Sequence, residues 1–267
     1  MKAAEQPFVL ATVVRTVSVT AAKAGAKAII RPDGTIVAGW IGGGCAKGAV
    51  LKAARDALAD GEPRMVSVQP ENLLAELGVK PGEAKDGVRF AANMCPSKGT
   101  MDIFVEPMLP HPSLVILGAS PVALSLATQA RQLGYHVTLA APAADLLETP
   151  GVDMLVDSFR LGELHEAKRF IVVSTQGKGD EAALRAALAV QTSYLAFVGS
   201  RRKMEALRAK LIAEGVEASA IDRVKAPAGL DLGAITPEEI AMSILAEITM
   251  ERRRGQRDGE ASVVNAL

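Results

Sequence analysis

In Leu114-Val115-Ile116-Leu117-Gly118-Ala119-Ser120-Pro121-Val122-Ala123, an unbroken apolar run passes through a glycine turn straight into a helix start. Four consecutive apolar residues suit a strand buried on both faces, as in a parallel sheet. Gly118 permits the tight turn, and Ser120 can cap the helix. Pro121 fits the first helical position, where its missing N–H has no intrahelical partner to lose. Strand, glycine turn and helix in this order give a G-x-G-x-x-G/A fingerprint its meaning. Ala123 can stand for the third glycine, but Ser120 replaces the second, where backbone comes closest to a pyrophosphate. The acidic residue expected about 20 positions on, for a ribose hydroxyl, is missing, and Ala141 stands near that place. Both departures argue against ordinary NAD(P) binding. They leave open a purely structural turn or a different phosphate-bearing ligand at Gly118 and Ser120.

Further along, the helix reaches about Leu133 and Gly134 stops it. Val137 to Ala140, Phe170 to Ser174 and Tyr194 to Val198 read as strands, with helical stretches near 181–190 and 202–213. This alternation predicts a Rossmann-like, doubly wound parallel sheet. In Gly199-Ser200-Arg201-Arg202-Lys203, Ser200 caps the next helix and two arginines enter its first turn. Cations are unfavourable at that end unless an anion or a carboxylate compensates, so Ser200, Arg201 and Arg202 are candidate anion ligands, with plain solvent exposure as the alternative. Ala226 to Ala234 is a glycine-punctuated loop, either a connection or a ligand-facing edge. Thr236-Pro237-Glu238-Glu239 is a capping box that opens a helix ending near Arg252 to Arg254.

Working back from the turn, Pro107, Pro110 and Pro112 mark a domain boundary. The expected division is an N-terminal α/β domain over 1–108, the Rossmann-like domain over 113–252 and a disordered tail over 253–267. In the first domain, Phe8 to Val14 is a strand and 27–38 a hairpin around Pro32-Asp33-Gly34. Met65 to Val68 and Asp102 to Val105 are further strands, and the polar stretch 69–88 reads as a loop or partly ordered insert. Gly39-Trp40-Ile41-Gly42-Gly43-Gly44-Cys45 leads into a helix ended by Gly61. The bare backbone of Gly42, Gly43 and Gly44 can approach an anionic ligand. A thiol at a helix N-terminus, as at Cys45, suits a nucleophile, a sulfur carrier or a metal ligand. The second of the two cysteines, Cys95, lies in another turn, Asn93-Met94-Cys95-Pro96-Ser97-Lys98-Gly99-Thr100. The alternative for each is a small buried apolar residue.

Composition narrows the function classes. Thirty basic and thirty acidic side chains cancel, which argues against a nucleic-acid or membrane-surface partner, and 3% aromatics leave little for base stacking. Two cysteines make no disulfide framework. No signal peptide or transmembrane run is expected, which points to a cytoplasmic protein. His111, His136 and His165 form no metal pair, and no P-loop, G-x-S-x-G or zinc-type spacing occurs.

Taken in order, Ala11-Thr12-Val13-Val14, Gly25-Ala26-Lys27, Gly42-Gly43-Gly44-Cys45, Cys95 with Glu106-Pro107, the Gly118 turn, Gly199-Ser200-Arg201-Arg202, Pro227 to Ala234 and Thr236 to Ala241 form a specific combination. Through it the chain resembles the XdhC/CoxI family over nearly its whole length. It is closer to the CoxF- or CoxI-like branch associated with carbon monoxide dehydrogenase, since Ala46 and Lys47 follow the first cysteine and Pro96-Ser97 the second. The resemblance implies a maturation factor for molybdenum hydroxylases, a cofactor-binding chaperone rather than an enzyme. It would bind the molybdenum cofactor, in its cytidine dinucleotide form among others, assist its sulfuration and deliver it. The implied partners are a molybdenum hydroxylase apoenzyme of the carbon monoxide or xanthine dehydrogenase type, a cysteine desulfurase and a second copy of the chain. Cys45 and Cys95 would ligate the molybdenum or relay sulfur. Gly42 to Gly44 would cradle anionic groups, and Gly118, Ser120, Ser200, Arg201 and Arg202 would hold the tail. The rival readings are an NAD(P)-dependent oxidoreductase and a non-catalytic assembly adaptor.

Overall fold

A computed structural model describes residues 6–96, 98–146, 151–162 and 168–254. The chain divides into two compact units between Pro110 and His111.

In unit 1, β1 (Phe8–Val17), β2 (Lys27–Ile30), β3 (Ile36–Gly39), β4 (Arg64–Gln69), β5 (Ala84–Lys85), β6 (Val88–Ala92) and β7 (Thr100–Met108) form one mixed sheet of order β3-β2-β1-β7-β4-β6-β5. Val9, Ala11 and Val13 alternate inward from β1, and a register shift between Val13 and Arg15 ends that alternation. One helix, α1 (Gly44–Asp60), packs on the inward face through Ala46, Val50, Ala53, Ala54 and Ala57. Its small side chains let helix and sheet approach closely, and Gly61 ends it in the left-handed conformation.

The insert at 69–88 is more ordered than its polarity suggests. It holds α2 (Glu71–Glu76), with Leu74 buried, and the two-residue β5. One turn and a half of helix leaves too few apolar positions for a period to show.

Unit 2 contains β8 (Ser113–Leu117), α3 (Pro121–Gln132), β9 (His136–Ala140), β10 (Met154–Val156), β11 (Arg169–Val173), α4 (Asp180–Leu188), β12 (Tyr194–Phe197), α5 (Arg201–Ala213), α6 (Ala218–Ile221) and α7 (Pro237–Arg253). The strands are parallel, in the order β10-β9-β8-β11-β12. Leu114 and Ile116 face the layer holding Leu126 of α3 and Ile244 of α7, whereas Val115 and Leu117 face Leu184 of α4 and Leu211 of α5. That double burial is why the strand reads as a continuous apolar run. Strand order reverses between β8 and β11, which opens the crevice where ligands of such sheets bind.

Past α6 the chain returns beside β12. Lys225 N–H donates to Leu195 O at 2.9 Å and Ala228 N–H to Phe197 O at 3.1 Å. It then turns onto α7 at Gly229 (φ +93°), where a Cβ would stand 2.3 Å from Ser243 Oγ. The buried Glu247 carboxylate anchors this loop by accepting from Gly229 N–H at 3.0 Å and Tyr194 OH at 2.5 Å, and it pairs with Lys225. The Thr236 capping box forms as the sequence predicts, and Arg253, the first residue of the expected tail, is the last residue of α7. Residues 255–267 lie outside the described residues.

Candidate functional site

Both cysteine loops of unit 1 lie at one end of its sheet. Val17 pairs with Thr100, Gln69 with Ala92, and Ala28 with Gly39. The turn after β3 therefore emerges at the same end as the loop between β6 and β7. The 19–21 segment runs between them: Val19 bridges Lys98, while a Cβ on Gly42 would lie 3.8 Å from Ala21 Cβ and 3.3 Å from Met101 Cε.

Gly42 (φ +104°), ahead of α1, and Gly44 (φ +50°), its first residue, have left-handed backbone, and a Cβ at Gly43 or Gly44 would meet no atom within 4 Å. The Gly43 N-cap has no side chain to bond the first N–H groups, and no acidic residue lies in the first turn. The amides of this turn are thus left without an internal acceptor of that kind. Cys45 sits in that turn, half-buried against the core.

Cys95 is exposed. Asn93 holds its loop in both directions: Oδ1 accepts from Cys95 N–H at 3.0 Å and Nδ2 donates to Gly99 O at 2.6 Å. Beside it, Ser67 donates to Asp102 at 2.5 Å and accepts from Gln69 at 2.8 Å, and Arg15 pairs with the other Asp102 oxygen at 2.5 Å. Val19, Trp40 and Met94 are exposed near the two cysteines, at 70%, 53% and 78%. Exposed large apolar side chains on loops at one end of a sheet suit a surface that something covers in use.

In unit 2, the crevice at the strand-order reversal is a cleft of about 70 Å³ lined by Gly118, Ala119, Ser120, Asp145, Thr175, Gln176 and Lys178. A Cβ on Gly118 (φ +121°) would stand 2.2 Å from Ser174 O, so only glycine fits. Ser120 Oγ accepts from Ala123 N–H at 3.1 Å and bonds Ser174 Oγ at 2.7 Å. Leu124 N–H already donates to Ser120 O, and Pro121 has no N–H. Of the first turn of α3, Val122 N–H alone is left for a ligand, fewer donors than the usual fingerprint presents.

At the end of β9, Ala141 is buried and donates to Val156 O at 3.0 Å. Asp145 follows in a short 3₁₀ turn, Ala143–Asp145, and pairs with Lys178 at 3.2 Å. The partner lies 33 residues away, so nothing local in the sequence signals the pairing.

Ser200 caps α5 by accepting from Lys203 N–H at 3.3 Å. The carboxylate that compensates the basic first turn is Asp180, and it pairs with Lys203 at 2.6 Å rather than with either arginine. Lys203 also lies 5.6 Å over the Phe197 ring. Burial pushes the Asp180 carboxyl up, but Lys203, Thr175 and the Gly177 N–H outweigh it and hold it below the usual carboxylate range. Arg201 and Arg202 are exposed and make no ion pair among the described residues. Ser200 follows β12 and Gly118 follows β8, with β11 between them, so the arginines do not line the Gly118 cleft.

A cysteine-bearing α/β unit followed by a Rossmann-type unit without the usual acidic ribose acceptor defines the class. Residues 114–248 match the XdhC Rossmann domain, and residues 1–69 match the XdhC and CoxI family. The chain belongs to the XdhC and CoxI family. It is 30% identical over 250 residues to an Escherichia coli K12 protein described as uncharacterized protein YqeB, covering 91% of this chain and 43% of that one. It is 28% identical over 166 residues to a probable xanthine dehydrogenase subunit of Bacillus subtilis 168, covering 58% and 47%. The chain thus spans less than half the length of these curated relatives. A solved structure described as a xanthine dehydrogenase from Bacillus halodurans is 19% identical, covers 94% of this chain and 93% of that one, and has a TM-score of 0.48. No helix among the described residues is long and apolar enough to cross a membrane.

Proposed function

We propose that this chain is an accessory factor that takes up the molybdenum cofactor, assists its sulfuration and passes it to a molybdenum hydroxylase of the carbon monoxide or xanthine dehydrogenase type. The observation that carries the reading is the convergence of Cys45, Cys95 and the open Gly42–Gly44 turn on one end of one sheet. Among the described residues no cluster of three or more His, Cys, Asp or Glu could hold a metal ion. Two soft sulfurs do not build a closed site, but they suit a metal already chelated by the dithiolene of its own pterin. The cofactor enters here as cargo. The Gly43 and Gly44 amides would bind its anionic groups, Cys45 would approach from the half-buried helix start, and Cys95 would exchange sulfur from the exposed turn. The apolar rim of Val19, Trp40 and Met94 suits a face that closes over a water-labile cargo. In unit 2, taken by itself, the Gly118–Ser120 turn would hold a phosphate-bearing group, and the exposed Arg201 and Arg202, outside that cleft, would meet a separate anionic group. A cysteine desulfurase and a second copy of the chain are the further proposed partners.

The test is anaerobic co-elution. Protein loaded with released cofactor is gel-filtered and molybdenum per chain is counted for wild type, Cys45→Ala and Cys95→Ala. The expected result is near-stoichiometric metal that falls with either substitution; folded wild type without metal would sink the proposal. Two companion measurements separate the rivals. A nicotinamide fluorescence titration that gives low-micromolar binding would favour the oxidoreductase, whose usual ribose acceptor is absent here. Client activation that survives both cysteine substitutions would favour the adaptor.

A further inference from the structure

The three loops at the cysteine end of unit 1 share a charge that the carrier reading leaves unused. The 18–26 loop presents Val19 and Lys23, the stretch 40–47 Trp40 and Lys47, and the 93–99 loop Met94 and Lys98. Each thus exposes one large apolar side chain and one lysine, and none of them holds an Asp or a Glu. Lys23, Lys47 and Lys98 make no ion pair among the described residues. Two carboxylates border this end: Asp102 is taken by Arg15, and Glu71 opens α2 beyond β4. We propose that these loops form a docking face for an acidic protein surface, with Trp40 as its apolar anchor and the three lysines as its charged border, and that the partner is the apoenzyme that receives the cargo. The inference rests on the carrier reading and deepens it by placing the partner's contact and giving its charge.

Neither Lys47 nor Lys98 is placed to help the fold. Lys47 closes the first turn of α1, the end where a cation is unfavourable, while Asp56 and Asp60 lie toward the other end and are taken by Arg89 and Arg64. The charges of this helix therefore run against its dipole. Lys98 holds φ +46°, a conformation that favours glycine. Residues that break a local preference, with no ion pair in return, are expected where function sets them. The make-up of the face is that of a protein contact, in which Trp and Met are enriched and charge is kept to the border. Trp40 is the only tryptophan of the chain, and Trp is a residue type that often carries the binding energy of an interface. A lipid surface fits less well. Headgroup clusters take about four to eight basic residues along one helix or segment, whereas Lys23, Lys47 and Lys98 come from separate loops. In a chain without net charge, a positive end is a local field that selects a partner of opposite sign and speeds the encounter.

The experiment follows association of the full, cargo-free chain with the apo form of a molybdenum hydroxylase, of the xanthine and the carbon monoxide dehydrogenase type in turn, by surface plasmon resonance. Wild type should bind, with an on-rate that falls by about tenfold or more between about 50 and about 300 mM salt. The triple variant Lys23→Glu/Lys47→Glu/Lys98→Glu should slow the on-rate by about tenfold or more at low salt and flatten that dependence, with the off-rate little changed. Trp40→Ala should instead raise the off-rate, by about thirtyfold. The control triple Lys80→Glu/Lys85→Glu/Lys168→Glu changes net charge equally and should keep most of the wild-type on-rate. Lys47→Glu alone separates docking from folding: it suits the helix dipole, so the thermal midpoint should hold or rise while the on-rate falls. Equal slowing by both triples assigns the effect to net charge and overturns the face. An on-rate that the first triple leaves unmoved, no binding to either apoenzyme, or Trp40 fluorescence that shifts with phosphatidylserine vesicles and with neither apoenzyme overturns it as well. So does a first triple that loses molybdenum co-elution yet binds the apoenzyme as wild type does, since the lysines then hold cargo. Docking is read here without molybdenum, and co-elution without a partner, so either result stands when the other fails.

Discussion

Gly118 shows how far one residue governs its surroundings. Its positive φ, and the mere 2.2 Å that would separate an added methyl from Ser174 O, close the position to every side chain. Gly118→Ala should destabilise the protein by about 3 kcal/mol, read as a lowered thermal midpoint, because the clash is with backbone and no rotamer relieves it. Asp180 makes a pH prediction. Its folded carboxyl sits below its unfolded value, so it stabilises above the ordinary carboxylate range and loses that contribution as pH falls through the folded value. In acid titrations of stability, Asp180→Asn should therefore flatten the loss seen for wild type below about pH 4. It should also cost about 1–3 kcal/mol at neutral pH through the lost Lys203 and Thr175 contacts. Helix electrostatics alone call for a compensating group beside Arg201 and Arg202. They do not identify Asp180, which a different helix contributes, or show that Lys203 receives it. The two cysteines and the glycine turn are legible as loop chemistry. Their shared end of the sheet is not, since it follows from strand pairings across 80 residues or more, such as Val17 with Thr100.

Among elements, legibility follows burial pattern. The strands of unit 2 read clearly because both faces are buried, and α7 reads clearly because Thr236, Pro237 and Glu239 give three agreeing signals at its start. Thr236→Ala removes the acceptor for Glu239 N–H and should cost about 1 kcal/mol, visible as a small fall in denaturation midpoint with an unchanged slope. The hairpin of β2 and β3 reads clearly from its Pro-Asp-Gly turn. The 69–88 insert hides α2 and β5 because a six-residue helix and a two-residue strand carry no period of their own.

Across the molecule, thirty charges of each sign and a pI near 6.9 leave no long-range field. Solubility should pass through a minimum near pH 7 and rise on either side, measured by precipitation at fixed protein concentration. The two-unit organisation is visible in the prolines at 107–112, and the unit boundary falls at Pro110. Less visible is the mixed character of the unit 1 sheet, in which β4 and β6 run parallel inside a largely antiparallel array. Nothing local in either strand encodes its direction; the length of the connection through α2 and β5 permits it.

The Asn93 clamp has a practical side. Its bonds go to the backbone N–H of Cys95 and the carbonyl of Gly99, so neither uses the cysteine side chain. The clamp therefore leaves the sulfur of Cys95 free of architectural duty. Cys45 packs against the core and is less accessible. Brief treatment with a maleimide dye should tag position 95 first and leave the thermal midpoint where it was, turning the native chain into its own single-site reporter for whatever approaches that end of the sheet.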